Sequence, residues 1–332
     1  MAMTWFEELT GITGETPAQV YENLSLEGTV LTSAITGWQA EAGTLSTPSL
    51  RELRKGVASA NVEVGRLTVQ EVVADIQRMH MRPENAGATF QVASQFNLLE
   101  MIGPSITPEM GVGRYEHDLT QGPACALACL AGTIYRNYFV PLDGGIGQTE
   151  QRQIDCLSDL GRLLGAETDF LWEMRNGYAL PTADSLQLVN ARLAMVDADA
   201  VRAALRIGVH HGTQVTVNDA GRLVTQVYCS ALPVAYAGLD ADLWAAFARI
   251  VLEAAYEATL LAAVQNAART GNNRVFLTML GGGAFGNRQD WIAQALLRSL
   301  RLHADSGLDV HLVSYHHSSA LARRIIADFE VT

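Results

Sequence analysis

Apolar side chains recur every three to four residues along Ala241–Ala268. Leu243, Phe247, Ile250, Val251, Ala254, Ala258 and Leu261 share one side there, a spacing that predicts a long amphipathic helix. Shorter helices are predicted over Pro17–Leu24, from Pro48 and Ser49 through Val57, near Glu150–Leu164, Ala183–Val196 and Asp199–Ile207, and over Ser319–Phe329. Gly122 and Pro123 open another that runs to Phe139, with proline at the first helical position. Runs of strand character occur at Thr29–Thr36, Thr89–Ala93, Phe170–Arg175 and Leu223–Ala231. Thr68–Met79 fits two patterns: Val69, Val72, Val73 and Ile76 suit a helix face, while Glu71–Ile76 suits a strand ending in Asp75.

The last third of the chain carries the clearest unit. Val275–Leu280 is an apolar strand-like run that ends in Gly281-Gly282-Gly283. A helix follows over Asp290–Leu302, and a second strand runs over Val310–Val313. Strand, crossover helix and strand make a βαβ unit, so the two strands should be parallel and buried on both faces. Glycines between a strand and a helix let main-chain N–H groups approach an anion closely, at the positive end of the helix dipole. Gly281, Gly283 and Gly286 also fit the G-x-G-x-x-G spacing of dinucleotide-binding turns. Against that reading, the chain ends too soon after Gly286 for the remaining strands of such a domain. No acidic residue closes the second strand, because Asp309 begins it. The plain alternative is that the glycines only make a tight turn between strand and helix.

The 332 residues are 48% hydrophobic and 17% charged, enough for a sizeable core, with a formal net charge of −12. A uniformly acidic protein repels nucleic-acid polymers and anionic membranes, although main-chain amides can still bind a small anion. The four cysteines form no C-x-x-C pair, so buried thiols are expected rather than metal ligands or disulfides. The adjacent pairs His210-His211 and His316-His317 give no metal spacing, because neighbours on a strand face opposite ways. Nothing calls for a metal or a cofactor. The N-terminal stretch carries acids and lacks the apolar core of a secretory signal. Arg249, Glu253 and Glu257 interrupt Leu243–Val264, so it is not a membrane span. A cytoplasmic protein is expected, or one delivered into a host cell as an effector.

Met101–Gln121 is the most irregular stretch, with Glu109, Tyr115, Glu116, His117 and Asp118 among its glycines and prolines. A loop this long in a compact domain is usually functional. Each acid alone reads as a solvated loop charge; the cluster points to chemistry. Thr120-Gln121-Gly122, at the start of the next helix, is a second candidate anion site. The small residues that follow, Ala124 to Gly132, read as close core packing.

From Asp75 to Tyr315 the order of these segments resembles the macrodomains, a family of ADP-ribose-binding proteins. VFLTMLGGGAFGN resembles the family's phosphate-binding loop, and LDVHLVSY its following strand. VTQVYCSALPVAY resembles the strand that precedes the family's long helix, and LEAAYEATLLAAVQNA that helix. The resemblance implies a three-layer α/β/α sandwich with a mixed sheet. Residues 1–60 would be an N-terminal extension, and residues 61–332 the domain, with a mainly helical insertion at 143–218. It implies that Gly282, Gly283, Ala284, Phe285, Gly286 and Asn287 wrap the diphosphate and distal ribose. VVADIQRM resembles the strand that would make Asp75 the partner of the adenine amino group. ATFQVASQFN resembles the strand whose asparagine meets the distal ribose, here Asn97. The sequence departs from the family after Asn97: the first glycine-rich loop is missing and Glu100–Gln121 takes its place. That departure moves the chain toward the hydrolytic branches, the poly(ADP-ribose) glycohydrolases and the macrodomain-like arginine-ADP-ribose hydrolases of bacterial effectors.

The reading that follows is an ADP-ribosylhydrolase acting on ADP-ribosylated protein, with the arginine linkage favoured. A carboxylate would stabilise positive charge at C1 of the distal ribose and activate water. Asp118 is the first candidate, since it lies three residues before Gln121 at the helix start. Glu116 is the second, and Glu109 shares the loop. Asn97 and Gln121 would orient hydroxyls or water, and Gly122 would lie beside the ligand. The alternatives are a non-catalytic binder of ADP-ribose or another NAD-derived nucleotide, and an NAD(P)-dependent oxidoreductase.

Overall fold

The computed structural model describes residues 3–58, 65–118 and 120–331. The boundary expected between residues 60 and 61 lies outside them. Seven strands form the central sheet: β1 (Thr44–Ser46), β2 (Thr68–Val73), β3 (Thr89–Ala93), β4 (Gly208–Gln214), β5 (Leu223–Cys229), β6 (Arg274–Leu277) and β7 (Asp309–Ser314). Their order is β1-β4-β5-β3-β6-β7-β2. The five strands from β5 to β2 are parallel, and β4 and β1 add antiparallel pairs at one edge. This is the mixed sheet expected. Two of its strands arise where none was foreseen: β1 from the N-terminal extension and β4 from the segment expected as a mainly helical insertion.

Alternation along β3 separates the layers. Phe90 stacks on His80 at 3.7 Å, on one face, while Gln91 donates to Thr259 at 3.0 Å on the other. His80 lies in α1 (Ile76–Met81), which packs against α2 (Gln121–Ala128). Thr259 lies in α3 (Ala241–Thr270), the helix of the opposite layer. That helix starts at Asp240, whose carboxylate accepts from the Asp242 N–H, and stops at Gly271 with φ +77°. Its second half is buried on all sides from Ala254 to Val264, so it is a central helix rather than a one-sided amphipathic one. α4 (Gln289–Leu302) crosses over between β6 and β7, which pair in parallel from Arg274↔Asp309 to Leu277↔Leu312.

Thr68–Met79 divides differently from either reading: Val69, Val72 and Val73 belong to a strand that starts at Thr68 and ends at Val73, and Asp75, instead of ending that strand, caps α1 by accepting from the Gln77 N–H. The helix expected from Gly122 to Phe139 breaks at Cys129. Thr216 intrudes on its ladder there, accepting from the Leu130 N–H and donating its own N–H to the Ala128 carbonyl. Near Glu150–Leu164 only Ser158–Leu163 is helical. Phe170–Arg175 contributes one arm, Glu173–Arg175, of a hairpin with Tyr178–Leu180, which turns at Asn176-Gly177. A second apolar cluster holds Phe6, Val20 and Leu31 of the N-terminal segment against Tyr115, Leu130 and Tyr138.

Candidate functional site

Open parallel sheets expose a crevice at the carboxyl ends of their strands. Here two adjoining compartments occupy it, of about 850 and about 510 Å³. Sites for small molecules and cofactors have volumes of this order. The larger compartment is walled by Asp75, Ile76, Leu127, Val313 and Tyr315, with Trp5 from the N-terminal segment. The smaller one is walled by Gln95, Glu100, Tyr178, Tyr236 and the loop after β6. His117, Asp118, Thr120, Gln121 and Thr278 line both, so the two form one continuous trough.

The loop after β6 is built from backbone. Gly281 has φ +73°, and a Cβ there would meet Ala231 at 2.4 Å and the Asn287 amide at 2.7 Å, so only glycine fits. The N–H of Gly282 donates to Met279, that of Gly286 to Gly283 and that of Asn287 to Gly281. The N–H groups of Gly281, Gly283, Ala284 and Phe285 donate to nothing among the described residues, and these four residues line the smaller compartment. Unpaired amides on one wall suit an anion. Neither compartment carries Lys or Arg among its lining residues. Gly282, Gly286 and Asn287 serve the loop instead of lining the trough. The buried Asn287 amide donates to the Leu232 carbonyl at 2.8 Å and ties the loop to the chain after β5. Phe285 meets Tyr178 and Tyr236 at ring distances of 5.3 and 5.6 Å.

On the opposite wall the expected residues divide. The Asp118 carboxylate accepts from the Thr120 N–H at 2.9 Å through one oxygen, and the residue lines both compartments. Glu116 lines only the larger one, and its carboxylate accepts the main-chain N–H of Trp5 at 2.6 Å. Glu109 lines neither; it accepts from the Glu150 N–H at 2.9 Å. Asn97 also lies outside the trough. It is fully buried, donating to Gln153 at 2.9 Å and accepting from the Leu99 N–H, so no face is left for a ribose. The Gln121 amide is committed to β3, accepting from the Ala93 N–H and donating to the Gln91 carbonyl, rather than free to orient water. Gly122 fits where nothing larger would, because a Cβ would stand 1.9 Å from the Ala93 carbonyl oxygen.

Glu100 was not among the expected site residues. Its buried side chain pairs with the equally buried Arg136 at 3.4 Å, and its other oxygen has no partner among the described residues. Arg136 donates to the Leu98 carbonyl and lies 3.7 Å over the Tyr228 ring. Burial pushes the Glu100 carboxyl up to about 7 against the pull of Arg136, with the Asp118 charge adding to the rise. Tyr228, Glu100 and Tyr115 outweigh the effect of burial on Arg136 and hold its guanidinium above its ordinary value. One acid and one base inside otherwise apolar runs, FNLLE and TIYRNYF, were the signal for this pair.

No protein-family model matches this chain, and no curated protein does. Its structural neighbours are poly(ADP-ribose) glycohydrolases. The chain is similar to the Deinococcus radiodurans enzyme in complex with ADP-ribose, at 13% identity over 86% of this chain and 92% of that one, with a TM-score of 0.43. It is also similar to the Thermomonospora curvata enzyme, at 18% identity over 94% and 97%, with a TM-score of 0.41. The latter bound to the inhibitor ADP-HPD gives 17% identity over 94% and 97%, with a TM-score of 0.40. At this level of likeness no residue of this chain takes a role from them; the roles rest on the geometry above.

Proposed function

We propose that the protein is an ADP-ribosylhydrolase that binds ADP-ribose along the trough and cleaves the bond at C1 of the distal ribose. The observation that carries the reading is the position of Asp118. It is the one acid of the Met101–Gln121 loop that lines the compartment holding the four unpaired amides. The adenosine half would occupy the larger compartment, with Asp75 at the amino group. The diphosphate would rest on the amides of Gly281, Gly283, Ala284 and Phe285, donors already in place before the ligand arrives.

Thr120 fixes one oxygen of Asp118, leaving the second for the reaction. The carboxylate faces positive charge developing at C1 and takes a proton from the attacking water. The water oxygen bonds to C1, the C1–N bond breaks, and that proton ends on the departing guanidine. The products are free ADP-ribose and an unmodified arginine side chain. The arginine linkage is favoured because the Asp118 carboxylate lines this end and neither Lys nor Arg is among its lining residues, which suits a guanidinium and repels a carboxylate leaving group.

The test is release of ADP-ribose from arginine- and glutamate-modified proteins. Asp118→Asn is expected to lower the rate on the arginine linkage by about 100-fold or more while free ADP-ribose still binds. A second reading, a non-catalytic ADP-ribose binder, is supported by the engagement of Asn97, Glu109, Glu116 and Gln121 within the protein. Tight ADP-ribose binding with no release from any linkage would decide for the binder.

A further inference from the structure

The larger compartment contains a residue from the far end of the chain. Trp5 opens a short helix, Trp5–Thr10, whose start is fixed from both sides. Thr4 and Glu7 close a reciprocal cap, with the Glu7 N–H donating to the Thr4 hydroxyl and the Thr4 N–H to the Glu7 carboxylate. The main-chain N–H of Trp5 donates to Glu116 at 2.6 Å, so the acid-bearing loop grips the residue directly. The next residue, Phe6, is fully buried in the second apolar cluster beside Tyr115. A second clasp lies close by: the Glu15 carboxylate accepts from the N–H groups of Val112 and Gly113 at 2.8 and 2.7 Å and from the Tyr138 hydroxyl at 2.6 Å. Gly111 lies so close that a Cβ there would come within 2.5 Å of that carboxylate.

Trp5 is thus fixed by hydrogen bonds around it, half-buried, and is one of the residues that wall the trough. Its indole N–H is buried and has no acceptor among the described residues. With the nitrogen turned away from open space, the surface Trp5 offers the compartment is carbon. The walls beside it are apolar too, at Ile76, Leu127, Val217 and Val313, with Tyr315 at the rim and Asp75 as an acceptor. These apolar and aromatic residues, with Asp75 among the acceptors of the same compartment, suit a flat, weakly polar ring bearing an amino group.

We propose that the N-terminal segment is part of the ligand site, and that Trp5 is the residue against which the purine base of the bound nucleotide rests. Glu116 then holds Trp5 in place and takes no part in the reaction. This deepens the ADP-ribose reading and rests on it.

The test uses the full chain and three proteins: wild type, Trp5→Ala and Trp5→Phe. Calorimetry with AMP and with ADP-ribose is expected to show both ligands weakened about 10-fold in Trp5→Ala, the scale of losing one base–aromatic contact, and largely restored in Trp5→Phe. Tryptophan emission of the wild type should fall on adding AMP, and that fall should vanish in Trp5→Phe, a readout that a purely structural role would not move. Equal affinities in all three proteins, with emission changes retained in Trp5→Phe, would overturn the role of Trp5 and leave ADP-ribose binding standing. Failure of the wild type to bind either nucleotide would overturn both.

Discussion

The two walls of the trough are made in different ways. On one side, Gly281–Asn287 offers backbone: its main-chain N–H groups without an acceptor among the described residues are set by a strand, a turn and a helix adjacent in sequence. On the other side, Met101–Gln121 offers side chains whose availability depends on distant residues: Glu116 is taken by Trp5, Glu109 by Glu150 and Gln121 by β3. A site made from local backbone tolerates changes in its surroundings. A site made from side chains becomes whatever the tertiary structure leaves free, and here that is Asp118.

The largest effect should come where the acid-side wall touches the sheet. Gly122→Val puts a Cβ at 1.9 Å from the Ala93 carbonyl oxygen, a side-chain carbon against main chain, with the Glu100 side chain close behind. Neither backbone can yield without moving β3 or α2. Urea unfolding is expected to show a loss of about 3 kcal/mol or more. A variant as stable as the wild type would mean that this wall is pliable and that the contrast between the two sides is wrong.

The next effect concerns the buried pair behind Asp118. The Glu100 carboxyl is raised from its ordinary 4.5 to about 7 in the folded protein. Between those values the folded chain holds a proton that the unfolded chain has released. Stability therefore falls as pH rises through that window, by at most about 3 kcal/mol. Glu100→Gln should remove this component, so that unfolding free energies at pH 5 and pH 8 lie closer together than in the wild type. Parallel pH dependences in the two proteins would show that Glu100 does not titrate in that window.

The backbone side is sharpened by Gly283→Glu. A Cβ at Gly283 meets nothing within 4 Å, so the fold should be unchanged to within about 0.5 kcal/mol. A carboxylate beside the unpaired amides would compete with a phosphate and repel it. ADP-ribose affinity is expected to fall about 100-fold by calorimetry. Undiminished binding would remove the diphosphate from this loop.

Much of the fold could be read in the sequence because it is local. The βαβ unit, the glycine turn, the strand Thr89–Ala93 and the long helix follow from periodicity and punctuation within single segments. The losses share one cause. β1 is a strand only because it finds β4 across a long sequence separation, and β4 is held between β1 and β5. The helix break at Cys129 needs Thr216, and the walling-in of Asn97 needs Gln153. Trp5 is the extreme case, because nothing near it in sequence marks it as part of a trough lined by Asp75 and Tyr315. Sequence spacing identified the loop that carries the acids, but hydrogen bonds to distant residues decide which acid is free.

The smallest effect tests that last step most directly. By composition Glu109 and Asp118 are equivalent: two acids of one irregular loop. By structure they differ, since Glu109 accepts from the Glu150 main chain and borders neither compartment. Glu109→Gln keeps an oxygen for the Glu150 N–H and removes only the charge. Release of ADP-ribose should then stay within about twofold of wild type, with at most a few tenths of a kcal/mol lost in stability. Asp118→Asn, the same chemical change nine residues on, is the one expected to stop turnover. If Glu109→Gln abolished release while Asp118→Asn did not, the assignment by geometry would be reversed. Charge in the loop, rather than its position in the trough, would then govern the reaction.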